Sequence, residues 1–279
     1  MNKTKIDWCD LSWNPITGCL ANCEYCFARG IARRFGGRYI QTFGRNSKIS
    51  DGELHELGVP HLYERKNGDL VKAAYPYSFD PTFHRYRLDE LTRINNPQNV
   101  FVGSMTDIFG EWIPDEWIEE VFKACKSAPQ HRYMFLTKNS KRYISMAERL
   151  HYLSGTQYSA PETWIGTTIS NCGDEYVSLD WIGSHYGFDN PKNHFRFRCF
   201  LSIEPLHEHI KTLPLNGIEW VIIGAETGRR RDKVIPKHEW IEAIREQCYA
   251  AKVPVFMKSN LADVWGEHLI QEYPWMIRK

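Results

Sequence analysis

Seven short apolar runs set between helical segments limit what this chain can fold into more than any other feature. Six are Asn99–Ser104 (NVFVGS), Arg132–Thr137 (RYMFLT), Thr163–Thr168 (TWIGTT), Arg198–Ile203 (RCFLSI), Trp220–Gly224 (WVIIG) and Val253–Met257 (VPVFM), and a first lies at Trp13–Gly18. Near-continuous runs of β-branched and aromatic residues mark strands buried on both faces, the habit of parallel sheets covered by helices. Pro114 followed by Asp115 and Glu116 reads as a helix start with acidic residues in its first turn. Pro236 to Ala251 repeats the device, with Trp240, Ile241, Ile244 and Cys248 on one face. Strands alternating with helices predict an α/β fold, a partial (β/α) barrel of about six to seven parallel strands in preference to a flat doubly wound sheet.

At 279 residues and 42% hydrophobic content, the chain reads as a single domain spanning 1–279. Residues 39–97, between the first two strands, form an insertion too long for an ordinary strand-to-helix connection. Its clustered aromatics and charges, AYPYSFDPTFHRYRLDEL with His84, Arg85 and Arg87, suit a cover over the barrel mouth. A surface elaboration without chemistry is the competing reading. The N-terminus lacks the apolar core of a signal peptide, and no run approaches the ~18 apolar residues of a membrane span. A cytoplasmic protein without a membrane partner is expected, and its cysteines are then free thiols or metal ligands.

Three of those cysteines, Cys19, Cys23 and Cys26, are spaced C-x3-C-x2-C with Tyr25 before the last. Three thiolates in so short a loop can wrap one soft metal centre, and three is one fewer than a [4Fe–4S] cube needs, which leaves one iron open. Structural zinc is the competing reading, but it usually takes four ligands in two pairs, and Cys23 and Cys26 have no second pair. Cys9 is the nearest extra candidate. Cys125, Cys172, Cys199 and Cys248 stand apart in apolar surroundings, where core packing is the default.

Parallel α/β folds bind ligands at the C-terminal ends of their strands. Here those ends carry the Cys loop, Ser104-Met105-Thr106-Asp107, Thr137-Lys138-Asn139, Thr168-Ile169-Ser170-Asn171, Glu204-Pro205, Gly224-Ala225-Glu226 and Lys258-Ser259-Asn260. Helix capping accounts for Ser104, Thr106, Ser170 and Asn171. It does not account for Lys138, Glu204, Glu226 and Lys258, charges that follow directly on buried strands and must be paired or used. After the sixth strand, GAETGRRRDK sets Arg229, Arg230, Arg231 and Lys233 beside a glycine-rich turn, a pattern able to grip phosphate or simply to be a solvated face.

With its full C-x3-C-x-aromatic-C motif, the chain resembles the radical S-adenosylmethionine superfamily. The blocks WNPITGC, FVGSMTDIF, FLTKN, WIGTTISN, FLSIEPL, WVIIGAETG and VFMKSN are similar, in order, to a radical-SAM-like family labelled as phage-type protein of unknown function. Thr106-Asp107 and Thr137-Lys138 are more distantly similar to blocks of spore photoproduct lyase. The resemblance implies that Cys19, Cys23 and Cys26 ligate a [4Fe–4S] cluster whose fourth iron takes S-adenosylmethionine. A flavodoxin- or ferredoxin-type donor would then supply the electron that cleaves it to methionine and a 5′-deoxyadenosyl radical. It further implies cofactor contacts from Tyr25, Ser104, Lys138, Thr168 and Glu204, and leaves Asp107, Glu226, Lys258, Arg229 and Arg230 to the substrate. The expected activity is hydrogen abstraction from a nucleic acid or nucleotide, in modification or repair. A peptide or small-metabolite substrate and a non-catalytic, metal-stabilised nucleic-acid-binding protein are the alternatives.

Overall fold

The computed structural model describes residues 2–42, 52–154, 161–170, 197–228 and 230–277. Seven strands pair in parallel and in chain order: β1 (Leu11–Trp13), β2 (Asn99–Val102), β3 (Arg132–Thr137), β4 (Glu162–Thr168), β5 (Phe197–Ile203), β6 (Trp220–Ile223) and β7 (Val255–Met257). A sheet whose neighbours in sequence are neighbours in space curls the same way at every step, and this one forms a half-barrel. A two-residue strand, Asn2–Lys3, extends its edge antiparallel to β1. Among the described residues three helices intervene between strands, α2 (Asp115–Lys126), α3 (Lys141–Ser154) and α4 (His238–Ala250), while α1 (Phe27–Thr42) follows the Cys loop.

The apolar runs are continuous because both faces of the sheet are covered. Val100, Val102, Tyr133, Phe135, Ile165, Leu201, Val221 and Met257 point outward and share a core with Trp117, Val121 and Phe122 of α2 and Ile241 and Ile244 of α4. The alternate residues Phe101, Met134, Trp164, Phe200, Trp220 and Phe256 fill the inner face, joined by Trp8 from the N-terminal segment. Cys125, Cys199 and Cys248 are buried in the outer core as expected, and Cys172 lies outside the described residues.

Glycine is required at one place on that inner face. A Cβ on Gly166 of β4 would stand 2.4 Å from the buried ring of Phe200 on β5, so the ring lies where a side chain would be. Gly166→Ala is expected to cost about 3 kcal/mol of stability through overpacking. Denaturant melts will check this, and adding Phe200→Leu should recover part of the loss.

The N-terminal end of the inner face closes on a ladder of alternating charge. Arg132 bonds Glu162 at 2.7 Å, Arg198 approaches Glu162 at 3.2 Å and Glu219 at 2.7 Å. Trp275 lies under the Arg132 guanidinium, 4.2 Å from ring centroid to carbon. Despite burial, which pushes the other way, hydrogen bonding by Arg132 and Trp164 holds the Glu162 carboxyl below its ordinary range.

The first strand differs from expectation. The run Trp13–Gly18 splits: Trp13 ends β1, and Ile16–Thr17 joins a separate three-stranded sheet, antiparallel to Thr82–His84, which runs parallel to His55–Leu57. Asn14-Pro15 is the break, since proline offers no N–H to continue a ladder. The insertion therefore begins within α1 and returns as Thr82–His84 to pair beside the Cys loop. Residues 43–51 of it lie outside the described residues.

His84 seals this junction. It is fully buried, with Nε2 2.9 Å from Thr17 Oγ1 and Nδ1 3.2 Å from the Tyr86 hydroxyl. Burial, aided by Arg87 and His61, pushes its pKa down to about 2. The folded state thus holds His84 neutral while the unfolded chain takes a proton below ~6.5, so the group costs nothing above that pH and destabilises increasingly as pH falls. Its contribution should reach about 2 kcal/mol by about pH 5. Thermal melts against His84→Gln, which should be less stable at neutral pH but flatter towards acid, test the assignment.

Candidate functional site

The C-terminal ends of the strands open into a cavity of about 520 Å³. Cys19, Cys23 and Cys26 line it, together with Tyr25, Ser104, Lys138, Thr168, Glu204, Glu226 and Lys258. Every described candidate from the sequence except Arg230 thus reaches this one space, and Arg229 lies outside the described residues. Cys9 does not line the cavity. It packs against the inner-face cluster around Trp8 and Phe101, and burial pushes its thiol up to about 12.

The Cys loop is held from two sides. Gly18 N–H donates to the Met105 carbonyl at 3.0 Å, and Thr106 Oγ1 donates to the Gly18 carbonyl at 2.6 Å. From the insertion, the Phe79 carbonyl accepts the Cys19 N–H at 3.1 Å. Gly18 has φ +89°, and a Cβ there would meet the Asp80 carbonyl oxygen at 2.2 Å, so only glycine fits between the two clamps. Arg29 completes the frame. Its Nη2 donates to the Cys19 carbonyl at 3.2 Å, its N–H to Cys26 Sγ at 3.4 Å, and its guanidinium covers the Phe79 ring.

Several predicted side chains prove to be paired. Glu204 bonds Lys258 across β6, joining a residue expected at the cofactor to one expected at the substrate. Glu226 is buried and accepts from Arg230 Nε and Nη2 at 2.8 and 2.7 Å, with His207 at 3.3 Å. Those Arg230 bonds, ahead of His207, hold the Glu226 carboxyl below its ordinary range. Arg230, outside the cavity lining, also reaches the exposed Glu24 of the Cys loop at 3.7 Å, so its charge is engaged by two carboxylates. Arg231 and Lys233 are exposed.

Asp107 is buried, and both of its oxygens accept hydrogen bonds. Oδ1 receives Thr137 Oγ1 at 2.6 Å and the Phe109 N–H at 3.1 Å, and Oδ2 receives the Lys138 N–H at 3.0 Å. Burial pushes its pKa up, against the pull of those bonds. Its geometry is that of a brace between the loops after β2 and β3. The brace leaves the Lys138 ammonium at the mouth, 5.3 Å from the Tyr25 ring centroid, and among the described residues no carboxylate pairs with it. Tyr25 itself is set edge-on to His207 at 5.1 Å and hydrogen-bonds Ser170 at 3.2 Å.

Asn14, His207 and Arg29 were not legible as site residues. Asn14 Oδ1 receives the Met105 N–H at 2.9 Å and its amide meets Ser104 Oγ at 3.1 Å, which fixes the loop after β2. The signal for Asn14 was its place before Pro15 at a strand end. Nothing local marked the other two.

Three thiols of one short loop are donors of the kind that iron–sulfur iron takes. Burial pushes the Cys19 thiol up to about 12 and raises Cys23, a cost that coordination to a cationic centre offsets. Arg29 Nε, beside the loop, is buried and has no hydrogen-bond partner among the described residues. Among the described residues no group of three or more His, Cys, Asp or Glu side chains is placed to hold a metal ion.

The family scan matches residues 3–273 to a protein family of unknown function, DUF5131. The chain belongs to that family. The matched span contains the Cys loop, the insertion and all seven parallel strands. No curated protein and no solved structure matches the chain. Among the described residues no helix is long and apolar enough to cross a membrane.

Proposed function

We propose that this protein is a cytoplasmic radical S-adenosylmethionine enzyme that abstracts hydrogen from a nucleic acid or nucleotide. One observation carries the reading: three thiols of a single short loop open into the same cavity as the charged and hydroxylic ends of the parallel strands. Cys19, Cys23 and Cys26 would hold three irons of a [4Fe–4S] cluster, with the fourth left for the amino and carboxylate groups of S-adenosylmethionine. When bound and reduced by a flavodoxin- or ferredoxin-type donor, this pair supplies reductive C–S cleavage and a primary carbon radical.

The chain's own residues bind, orient and shield. Lys138, whose backbone is held by the Asp107 brace and whose ammonium makes no salt bridge among the described residues, suits the methionine carboxylate. Tyr25 offers a ring edge at the mouth for adenine, while Thr168, Ser104 and Glu204 offer acceptors for the amino group and ribose hydroxyls. The apolar floor of Trp8, Phe101 and Leu136 keeps water from the space where a radical would form. Substrate contacts fall to Lys258 and to the Glu226–Arg230 pair, with Arg231 and Lys233 on the approach.

Anaerobic reconstitution with iron and sulfide, followed by dithionite and S-adenosylmethionine, tests the proposal. Formation of 5′-deoxyadenosine and methionine is expected. Their absence from protein that has taken up its iron would overturn it.

A further inference from the structure

The helix that leaves the Cys loop is built inside out. α1 starts at Phe27, directly after Cys26, and reads FARGIARRFGGRYIQT, with four arginines and no acidic residue in a chain whose net charge is only +1. An ordinary surface helix buries its large apolar residues. Here Ala28 and Ala32 are buried, against Tyr75, Phe79 and Met105, while Phe27, Ile31 and Phe35 are 48%, 36% and 49% exposed. Their i, i+4, i+8 spacing sets them in one stripe along the helix. Phe27 and Ile31 also line the Cys-loop cavity, so the stripe runs from the mouth outward.

Charge accompanies the stripe. Arg34 is exposed, three residues beyond Ile31 and seven beyond Phe27, and therefore lies alongside them. Among the described residues no carboxylate pairs with Arg33 or Arg34, and no aromatic side chain stacks on Phe27 or Phe35. Flat apolar rings interleaved with unpaired guanidinium groups complement a strand that shows both base faces and phosphates.

We infer that α1 docks a single-stranded nucleic acid, Phe27 and Phe35 stacking on unpaired bases and Arg34 holding phosphate, and so leads the reacting nucleotide into the cavity. This rests on the proposed nucleic-acid substrate and narrows it. A duplex hides its base faces and would use only the arginines, leaving the rings idle. A lipid surface would cover the same stripe, but it would also block the mouth into which the stripe leads.

The test is fluorescence anisotropy of the anaerobically reconstituted full chain with a labelled short single-stranded DNA or RNA and with the matching duplex. Single strands should bind at least about tenfold more tightly than duplex, and Phe27→Ala with Phe35→Ala should weaken them by roughly tenfold or more. The charge reversals Arg33→Glu and Arg34→Glu, at exposed positions that leave the fold intact, should weaken binding and flatten its salt dependence. Unchanged affinity in both variants, preference for duplex, or sedimentation with anionic phosphatidylserine vesicles in place of oligonucleotide binding would each overturn the inference. Wild-type protein that forms 5′-deoxyadenosine yet ignores oligonucleotides refutes the docking alone. Binding without 5′-deoxyadenosine supports the docking and refutes the radical reading.

Discussion

Cys19→Ala, Cys23→Ala and Cys26→Ala should each lower 5′-deoxyadenosine formation by on the order of a thousandfold or more, whereas Cys9→Ala should leave it within about twofold. The contrast comes from position. The three thiols line one cavity, and Cys9 packs among Trp8 and Phe101 outside its lining. Iron and sulfide content and the visible absorption of the reconstituted protein give a readout independent of turnover. Each triplet variant should lose iron, and Cys9→Ala should lose only the packing of a small, partly buried side chain, about 1 kcal/mol. Should Cys9→Ala release metal as fully as Cys23→Ala, four protein ligands would be at work. The site would then be a structural one.

The second large effect is expected at Asp107. Its two oxygens accept three hydrogen bonds, from the Thr137 hydroxyl and the Phe109 and Lys138 N–H groups, and supply no donor. Asp107→Asn therefore turns an amide NH2 against groups that are themselves donors, and leaves at least one buried N–H unpaired. A loss of about 3 kcal/mol is expected for Asn, and somewhat more for Ala. Because the brace also sets the backbone of Lys138, S-adenosylmethionine affinity should fall along with stability. Denaturant melts beside equilibrium binding of S-adenosylmethionine to reconstituted protein will check both. A variant as stable as the parent and impaired only with substrate would return Asp107 to the substrate role that its sequence position suggested.

The strands were legible because their chemistry is local. Arg132–Thr137 coincides with its apolar run to the residue, and Glu162–Thr168 and Phe197–Ile203 differ from theirs by one position at the start. Burial on both faces writes itself into consecutive residues, so little else was needed. The first strand misled because Ile16 and Thr17 are as apolar and β-branched as a barrel strand should be, but their partner is a strand of the insertion 65 or more residues away, Thr82–His84. Pairing across such a distance leaves no local trace except Pro15.

At the site, topology made the membership readable and left the pairings hidden. Knowing that strand ends converge was enough to gather Lys138, Glu204, Glu226 and Lys258. That Glu204 meets Lys258, 54 positions on, depends on how tightly the sheet curls over β6. The brace at Asp107 was likewise invisible, since a Thr-Asp pair at a strand end reads equally as a cap or a ligand. Arg230 shows the converse. Its four-residue spacing from Glu226 permits the pair, but the neighbouring arginines make the same segment fit a phosphate grip equally well.

The inner face of the half-barrel is completed by residues from opposite ends of the chain. Trp8 packs on Phe101, Phe200 and Trp220, Asp7 Oδ2 accepts the Ser259 N–H at 2.7 Å, and the Asp7 carbonyl accepts the Tyr273 hydroxyl at 3.0 Å. These last two contacts span 252 and 266 positions, among the largest loops this polypeptide can close. Closing loops of that length costs more chain entropy than closing short ones. A chain still emerging from the ribosome has made all three thiols of Cys19, Cys23 and Cys26 long before the wall behind them exists. The wall behind the Cys loop therefore closes only when residues as far along as Ser259 and Tyr273 have joined the fold.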